Sequence, residues 1–389
     1  MDTVYLDNNA TTCVAPEVVE AMRPFFEALW GNPSSMHVFG GQVEAYVKRA
    51  RRTIADFIGA ERPEEVIITG CATESDNHAL FGVTSAWKQP GTVITSRVEH
   101  PAVLAPCMRL AEMGHKIVEI GVDSEGRFDM PAYEKALAAN PGPKLVSVMW
   151  ANNETGVIFP IREIAEKGKA AGATVHTDAV QAAGKVPIDV SQVPVDLLTV
   201  AGHKMHAPKG IGLLYVRRST RIRPLLLGGH QERGRRAGTE NVPYIIGLAK
   251  ACELAMQALT DGSEARIAAL RDRLENGLLA TCPDSRVNGA RDLRVPNTTN
   301  ISFELIEGES ILYHMSDLGI CASSGSACAA GSLESSHVIR AMGVPFTAVH
   351  GSIRFSLSRY TTDAEIDYTL KHVPEVIADM RALSPFVKH

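Results

Sequence analysis

The stretch Asp196-Leu-Leu-Thr-Val-Ala-Gly-His203-Lys204-Met-His206-Ala-Pro-Lys-Gly210 runs an apolar, strand-like segment into a loop punctuated by Gly and Pro, with a lysine at the junction. A lysine just past a buried strand is open to desolvation, which disfavours the ammonium form and leaves a nucleophilic amine. Upstream, Thr174-Val-His-Thr-Asp178-Ala-Val-Gln181 ends another short β-like run on a carboxylate, where it would hold a protonated pyridine nitrogen. A lysine able to bond an aldehyde and an aspartate for a ring nitrogen are the two protein groups that pyridoxal phosphate chemistry needs most. Each has a plainer reading alone. An Asp after a strand commonly caps a turn or helix, and a Lys in a Gly/Pro loop is commonly a solvated charge.

Outward from this pair, β-branched apolar runs recur at Glu65-Val-Ile-Ile-Thr69, Thr92-Val-Ile-Thr95, Lys116-Ile-Val-Glu-Ile120 and Leu145-Val-Ser-Val-Met149, separated by helix-like stretches. That alternation predicts crossover units and a mostly parallel sheet flanked by helices. Ile211-Gly-Leu-Leu-Tyr-Val216 follows Lys204 closely enough to return as a hairpin-like strand. Residues 242–280 read as one long amphipathic helix connecting to a second region. There, short strands at Asn300-Ile-Ser-Phe303, Gly319-Ile-Cys-Ala322 and Ser352-Ile-Arg-Phe-Ser356 predict a smaller α+β domain, with the N-terminal segment folded back onto it.

The 389 residues are enough for two domains. A net charge of −5 leaves no global basic field for nucleic acid or anionic lipid, so any anion site must be local. No apolar run reaches the roughly 18 residues of a membrane helix, and the start resembles no signal peptide, so a cytoplasmic protein is expected. Seven scattered cysteines, none spaced Cys-x-x-Cys, disfavour a disulfide framework and a structural zinc site.

Further residues carry chemistry. Thr69-Gly-Cys-Ala-Thr73-Glu-Ser-Asp76 follows a strand and opens a helix, a ready phosphate site with Thr73 placed to cap; the plain alternative is a capping box between Thr73 and Asp76. His203 would add a donor. His100, after a strand, is either structural or positioned to stack on a planar cofactor and move protons. Trp150-Ala-Asn152-Asn153-Glu-Thr-Gly156 places amides where open α/β sheets bind ligands, although Asn runs also form turns. Arg354 alternates with apolar neighbours, as a fork for a carboxylate or as half of a structural ion pair. Cys328 lies in Ala322-Ser-Ser-Gly-Ser-Ala-Cys328-Ala-Ala-Gly-Ser332, among small residues with little to pack against it, which favours a reactive thiol. Gly228-Gly-His-Gln-Glu-Arg-Gly-Arg-Arg-Ala-Gly238-Thr239 fits a phosphate-facing or subunit-facing loop.

In ordered combination, from Tyr5-Leu-Asp-Asn-Asn-Ala-Thr-Thr12 to Arg354-Phe-Ser-Leu-Ser-Arg-Tyr-Thr-Thr362, these segments resemble the cysteine desulfurases, pyridoxal phosphate enzymes of fold-type I. The wording at 150–156, 202–210 and 228–241 is most similar to the nitrogenase-maturation branch. The resemblance implies an α/β architecture: a large domain, residues 15–258, with a mostly parallel seven-stranded sheet, and a smaller α+β domain, residues 1–14 and 259–389, carrying the Cys328 loop. It further implies that Lys204 bonds the cofactor covalently, Asp178 pairs with its ring nitrogen, Gln181 bonds its phenolic oxygen and His100 stacks on it. Ala72, Thr73 and His203 would bind the phosphate, with Thr239 reaching it from a partner subunit. Asn153, Arg354 and Asn32 would hold the carboxylate of L-cysteine.

Cys328 would accept the sulfur as a persulfide, alanine would leave, and an iron–sulfur scaffold or other acceptor would take the sulfur, with iron near Cys328 on delivery only. A homodimer is implied. Two departures stand out: Ala201 replaces a hydroxyl or thiol residue that often contacts the phosphate, and Ala329-Ala330 with Ser335 replace Thr-Ser and a later Pro. A selenocysteine lyase or another lyase on this fold is the nearest rival expectation. A non-catalytic sulfur or iron carrier is the remotest, because it leaves the Asp178 and Lys204 pair unexplained.

Overall fold

The structure, a computed structural model, describes residues 3–324 and 335–384. A seven-stranded sheet runs in the order Val66–Thr69, Gly212–Val216, Leu197–Ala201, Thr174–Asp178, Lys144–Ser147, Thr92–Ser96, Lys116–Ile120. All are parallel except Gly212–Val216, which is antiparallel to both neighbours. It is the return strand expected after Lys204. Its first residue must be glycine for packing reasons: a Cβ there would come within 2.9 Å of the Cys71 backbone carbon and the Val200 carbonyl.

Period-2 alternation explains why both faces are covered. Ile68, Ile94, Val146 and Val175 turn into the larger hydrophobic cluster, which includes Val43, Val47 and Ile54 of the helix Val38–Phe57. Their neighbours Ile67, Val93 and Leu145 turn the other way, onto Leu80 and Val83 of Ala72–Thr84 and Val103 and Leu110 of Pro101–Glu112.

A separate hydrophobic cluster gathers Ile267, Leu270, Leu274 and Leu278 with Ile301, Phe303, Ile353 and Phe355. Val4 and Leu6 belong to it, because Val4–Tyr5 pairs in parallel with Ile320–Cys321. The next residues then run along Ser352–Ser356, with Asn8 N–H bonding Ser356 O at 3.1 Å. This return of the N-terminus carries residues 9 and 10 to the sheet's edge, where they matter below.

The single helix expected over 242–280 is two, Val242–Ala258 and Ser263–Thr281, meeting at 75°. Gly262 takes φ +86°, and Asp261 Oδ1 accepts from Ser263 N–H; together they form a turn that amphipathic periodicity alone does not register. Among the described residues no single helix is long and apolar enough to cross a membrane.

Candidate active site

Five parallel strands end at one cavity of about 320 Å³. Their C-terminal edges deliver Cys71, Ala72 and Thr73; His100; Met149 and Asn153; Asp178 and Gln181; and Ala201, His203 and Lys204. This is where open α/β sheets bind ligands. Arg354, from Ser352–Ser356, and Asn9 and Ala10, from the N-terminal return, complete the lining.

Lys204 closes the 3-10 turn Gly202–Lys204, and its Nζ donates to the carbonyls of Asn9 and Ala10, 2.6 Å each. The turn is pinned from behind. His206 sits at φ +67°, a conformation non-glycine residues adopt only when over-determined, and its N–H donates to Thr12 Oγ1 at 2.9 Å.

Asp178 is buried at the end of its strand, with Oδ1 accepting from Val180 N–H at 2.8 Å. Burial pushes the carboxyl up to about 6 against the pull of that hydrogen bond and of Lys204. His100 caps Pro101–Glu112 through Nδ1, which accepts from Ala102 N–H at 3.1 Å; the ring proton therefore belongs on Nε2. Burial, then the charges of Lys204 and His337, hold this imidazole at about 4, and burial with Lys204 and Lys209 holds His203 at about 4. Both rings are neutral at pH 7.

The helix Ala72–Thr84 starts one residue before Thr73, with Cys71 as its N-cap and no side-chain cap. Thr73 is therefore a first-turn residue and not the cap expected of it. The capping box with Asp76 does not form either: Glu74 Oε2 reaches back to Gly70 N–H at 2.7 Å. The first-turn N–H groups thus face the cavity without a side-chain partner, as an anion site requires. Asp76 is buried and also lines the cavity, with His176 Nε2 3.6 Å from its Oδ1. Burial, then the charge of Asp178, keeps it well above the usual carboxylate range.

Arg354 forms the structural ion pair of its two open readings and also reaches the cavity. It is buried, its Nη2 pairs with Asp7 Oδ1 at 2.7 Å and its Nη1 donates to Asn153 O at 2.9 Å. It also lines the cavity, where among the described residues its Nε has no hydrogen-bond partner. Asn32 and Thr239 are exposed and outside the cavity lining, Asn32 Oδ1 instead accepting from Ser34 N–H. Cys328 lies outside the described residues.

Sequence patterns do not single out Asn9, Ala10, Cys71 or Met149 as lining residues. Glu99, next to His100, is likewise unheralded. It is fully buried, accepts from Ser96 Oγ at 2.5 Å and Met149 N–H at 2.9 Å through Oε1, and is pushed by burial up to about 8. The folded chain then keeps a proton that the unfolded chain has lost, so this group's stability contribution falls as pH rises from the ordinary carboxylate range to about 8. Glu99→Gln copies the neutral acid and removes that slope. Its melting temperature relative to wild type should rise by roughly 2 °C or more from about pH 5 to about pH 8. A difference independent of pH, measured by calorimetry, would count against a protonated Glu99.

Residues 4–369 match the family model for class-V aminotransferases. The chain is 55% identical to "Cysteine desulfurase 2" of Trichormus variabilis over 386 residues, 99% of this chain and 96% of that one. It is 54% identical to "Cysteine desulfurase NifS" of Azotobacter vinelandii, over 99% and 95% of the two chains. Among solved structures, a "NIFS-like protein" superposes with a TM-score of 0.90 at 37% identity, covering 97% of this chain and all of that one. "SspA in complex with cysteine" gives 0.80 at 32%, covering 92% and 99%. The chain belongs to the class-V aminotransferase family and, within it, to the cysteine desulfurases.

The cofactor of this family is pyridoxal 5′-phosphate, and the residues present fit it. The open first turn of Ala72–Thr84 suits a phosphate, the buried Asp178 carboxylate suits a ring N–H, and the Lys204 amine stands in the same cavity.

Proposed function

We propose that this chain removes sulfur from L-cysteine, leaving L-alanine, with Lys204 bonding the cofactor and moving the substrate α-proton and Cys328 accepting the sulfur. The observation that carries this reading is the convergence of the Lys204 amine, the Asp178 carboxylate and an uncapped helix N-terminus on one cavity. When bound, pyridoxal phosphate supplies an aldehyde for amines and an electron sink for the α-carbon. Asp178 keeps a proton on the ring nitrogen, which strengthens that sink. His100, neutral with its proton on Nε2, covers the ring. Gln181 offers its amide N–H₂, and Ala72, Thr73 and His203 hold the phosphate.

Arg354 and Asn153 orient the substrate carboxylate, the arginine exchanging part of its contact with Asp7 for it. The Cys328 thiolate then attacks the substrate sulfur; the Cβ–S bond breaks, Cβ takes a proton and the sulfur stays on Cys328 as a persulfide. Both flanks of the loop are tied to cavity residues, which supports this role. Ser323 pairs with Arg354, and His337 Nε2 lies 2.9 Å from the carbonyl of Glu99, next to His100.

We assign Thr239 to the site of a partner subunit in a homodimer and Asn32 to the substrate's approach. The sulfur acceptor is read as an iron–sulfur scaffold protein, with nitrogenase maturation as the branch the relatives point to and the cytoplasm as the setting. Holoprotein given L-cysteine and a reductant should release alanine and sulfide in equal amounts. Release of ammonia and pyruvate in place of alanine would overturn the reading.

A further inference from the structure

Seven residues after Asp178, Lys185 lies on the far side of Asn9 from the cavity, and no step of the reaction uses it. We propose that Lys185 is a positioning residue, which fixes the amide of Gln181 and, through Asn9, sets the charge that the Lys204 nitrogen experiences. The inference rests on the reading of Lys204 given above.

The first half follows from donor chemistry. Lys185 Nζ donates to Gln181 Oε1 at 2.5 Å, the arrangement that its ammonium form, with only protons to offer, requires. The amide N–H₂ is thereby turned to the Asn9 carbonyl, 3.1 Å away, and to the cavity that Gln181 lines. The Asn9 carbonyl, which can only accept, and Lys185, which donates to Oε1, thus favour the same orientation of the amide, and losing Lys185 removes one of its two restraints.

The second half follows from Asn9. Its Oδ1 accepts from Lys185 Nζ at 3.0 Å and Asn297 Nδ2 at 3.1 Å, while its Nδ2 donates to Thr298 Oγ1 at 2.9 Å and Asn153 O at 3.1 Å. So held, its main-chain carbonyl meets the Lys204 amine. One residue therefore couples two lysines, whose like charges oppose each other.

Burial, then the charge of Lys204, pushes the Lys185 amine down to about 7, with Arg354 acting the same way and Glu264 opposing. Arg359 and His206 face the same small cavity from the other side. Glu264 is itself raised to about 7 by burial. Near neutral pH the charge beside Lys204 is therefore adjustable, and removing it lets the Lys204 nitrogen keep its proton to higher pH.

Three variants of the holoenzyme separate the two effects, followed by the pH midpoint of its visible absorbance without substrate and by cofactor loss on dilution. Lys185→Met should raise the midpoint by about one pH unit and speed cofactor loss about tenfold. Lys185→Gln keeps a donor for Gln181 and loses the charge, so it should raise the midpoint alike with a smaller effect on cofactor loss. Lys185→Arg should leave the midpoint near wild type. A merely structural lysine would change melting temperature and leave the midpoint alone, and an unshifted Lys185→Gln midpoint overturns the proposal even if Lys185→Met does not fold. Wild-type protein that shows no visible band after loading with pyridoxal phosphate removes the Lys204 reading first, and this inference with it.

Discussion

Lys204→Ala should lower L-cysteine desulfuration by roughly four orders of magnitude or more, because one change removes both the covalent attachment and the positioned proton carrier. The fold should survive. The side chain is only half-buried, and the two hydrogen bonds described for it end on carbonyls of residues 9 and 10, which other contacts hold in place. The variant should still bind pyridoxal phosphate through Asp178 and the first turn of Ala72–Thr84, more weakly and without the wild-type visible band. Alanine assay and absorbance titration check the two outcomes together. Retained turnover with retained absorbance would mean that another amine bonds the cofactor.

Cys328→Ala should lose persulfide formation by about a thousandfold or more, while cofactor binding and the first spectral response to L-cysteine persist. The substrate still exchanges with Lys204; only the thiol that cleaves the Cβ–S bond is missing. The structure supplies a pointed control. Cys71 is exposed, lines the cavity and is a free thiol at a helix N-cap. If Cys71 were the acceptor, Cys71→Ala would carry the loss and Cys328→Ala would turn over at full rate.

The sheet was readable because most of its strands are buried on both faces and spell continuous β-branched runs, Val66–Thr69 and Thr92–Ser96 being examples. Lys204, Asp178, Gln181 and His100 were readable for a related reason: each sits within a few residues of such a run's C-terminal end, so strand assignment places it at the cavity. Asn9 and Ala10 were not. They meet Lys204 through main-chain carbonyls across 195 and 194 residues, and a carbonyl carries no side-chain signature.

The alternative capping box between Thr73 and Asp76 does not form. Their spacing suits a capping box, but the helix begins at Ala72 with Cys71 as its N-cap, which puts Thr73 inside the first turn. Lys185 carries no signal in the sequence, since its contacts depend on Asn9, itself held by Asn297, arriving from distant segments. The bend at Gly262 escaped because apolar periodicity resumes on the far side of the turn.

Two lysine amines therefore stand close to the same cofactor site, each hydrogen-bonded to Asn9. Borohydride reduction of the holoprotein, followed by proteolysis and mass mapping, identifies the one that bonds the aldehyde. The pyridoxyl group should be found on Lys204 alone. Its recovery on Lys185, or on no lysine while the cofactor remains bound, would contradict the account at its root.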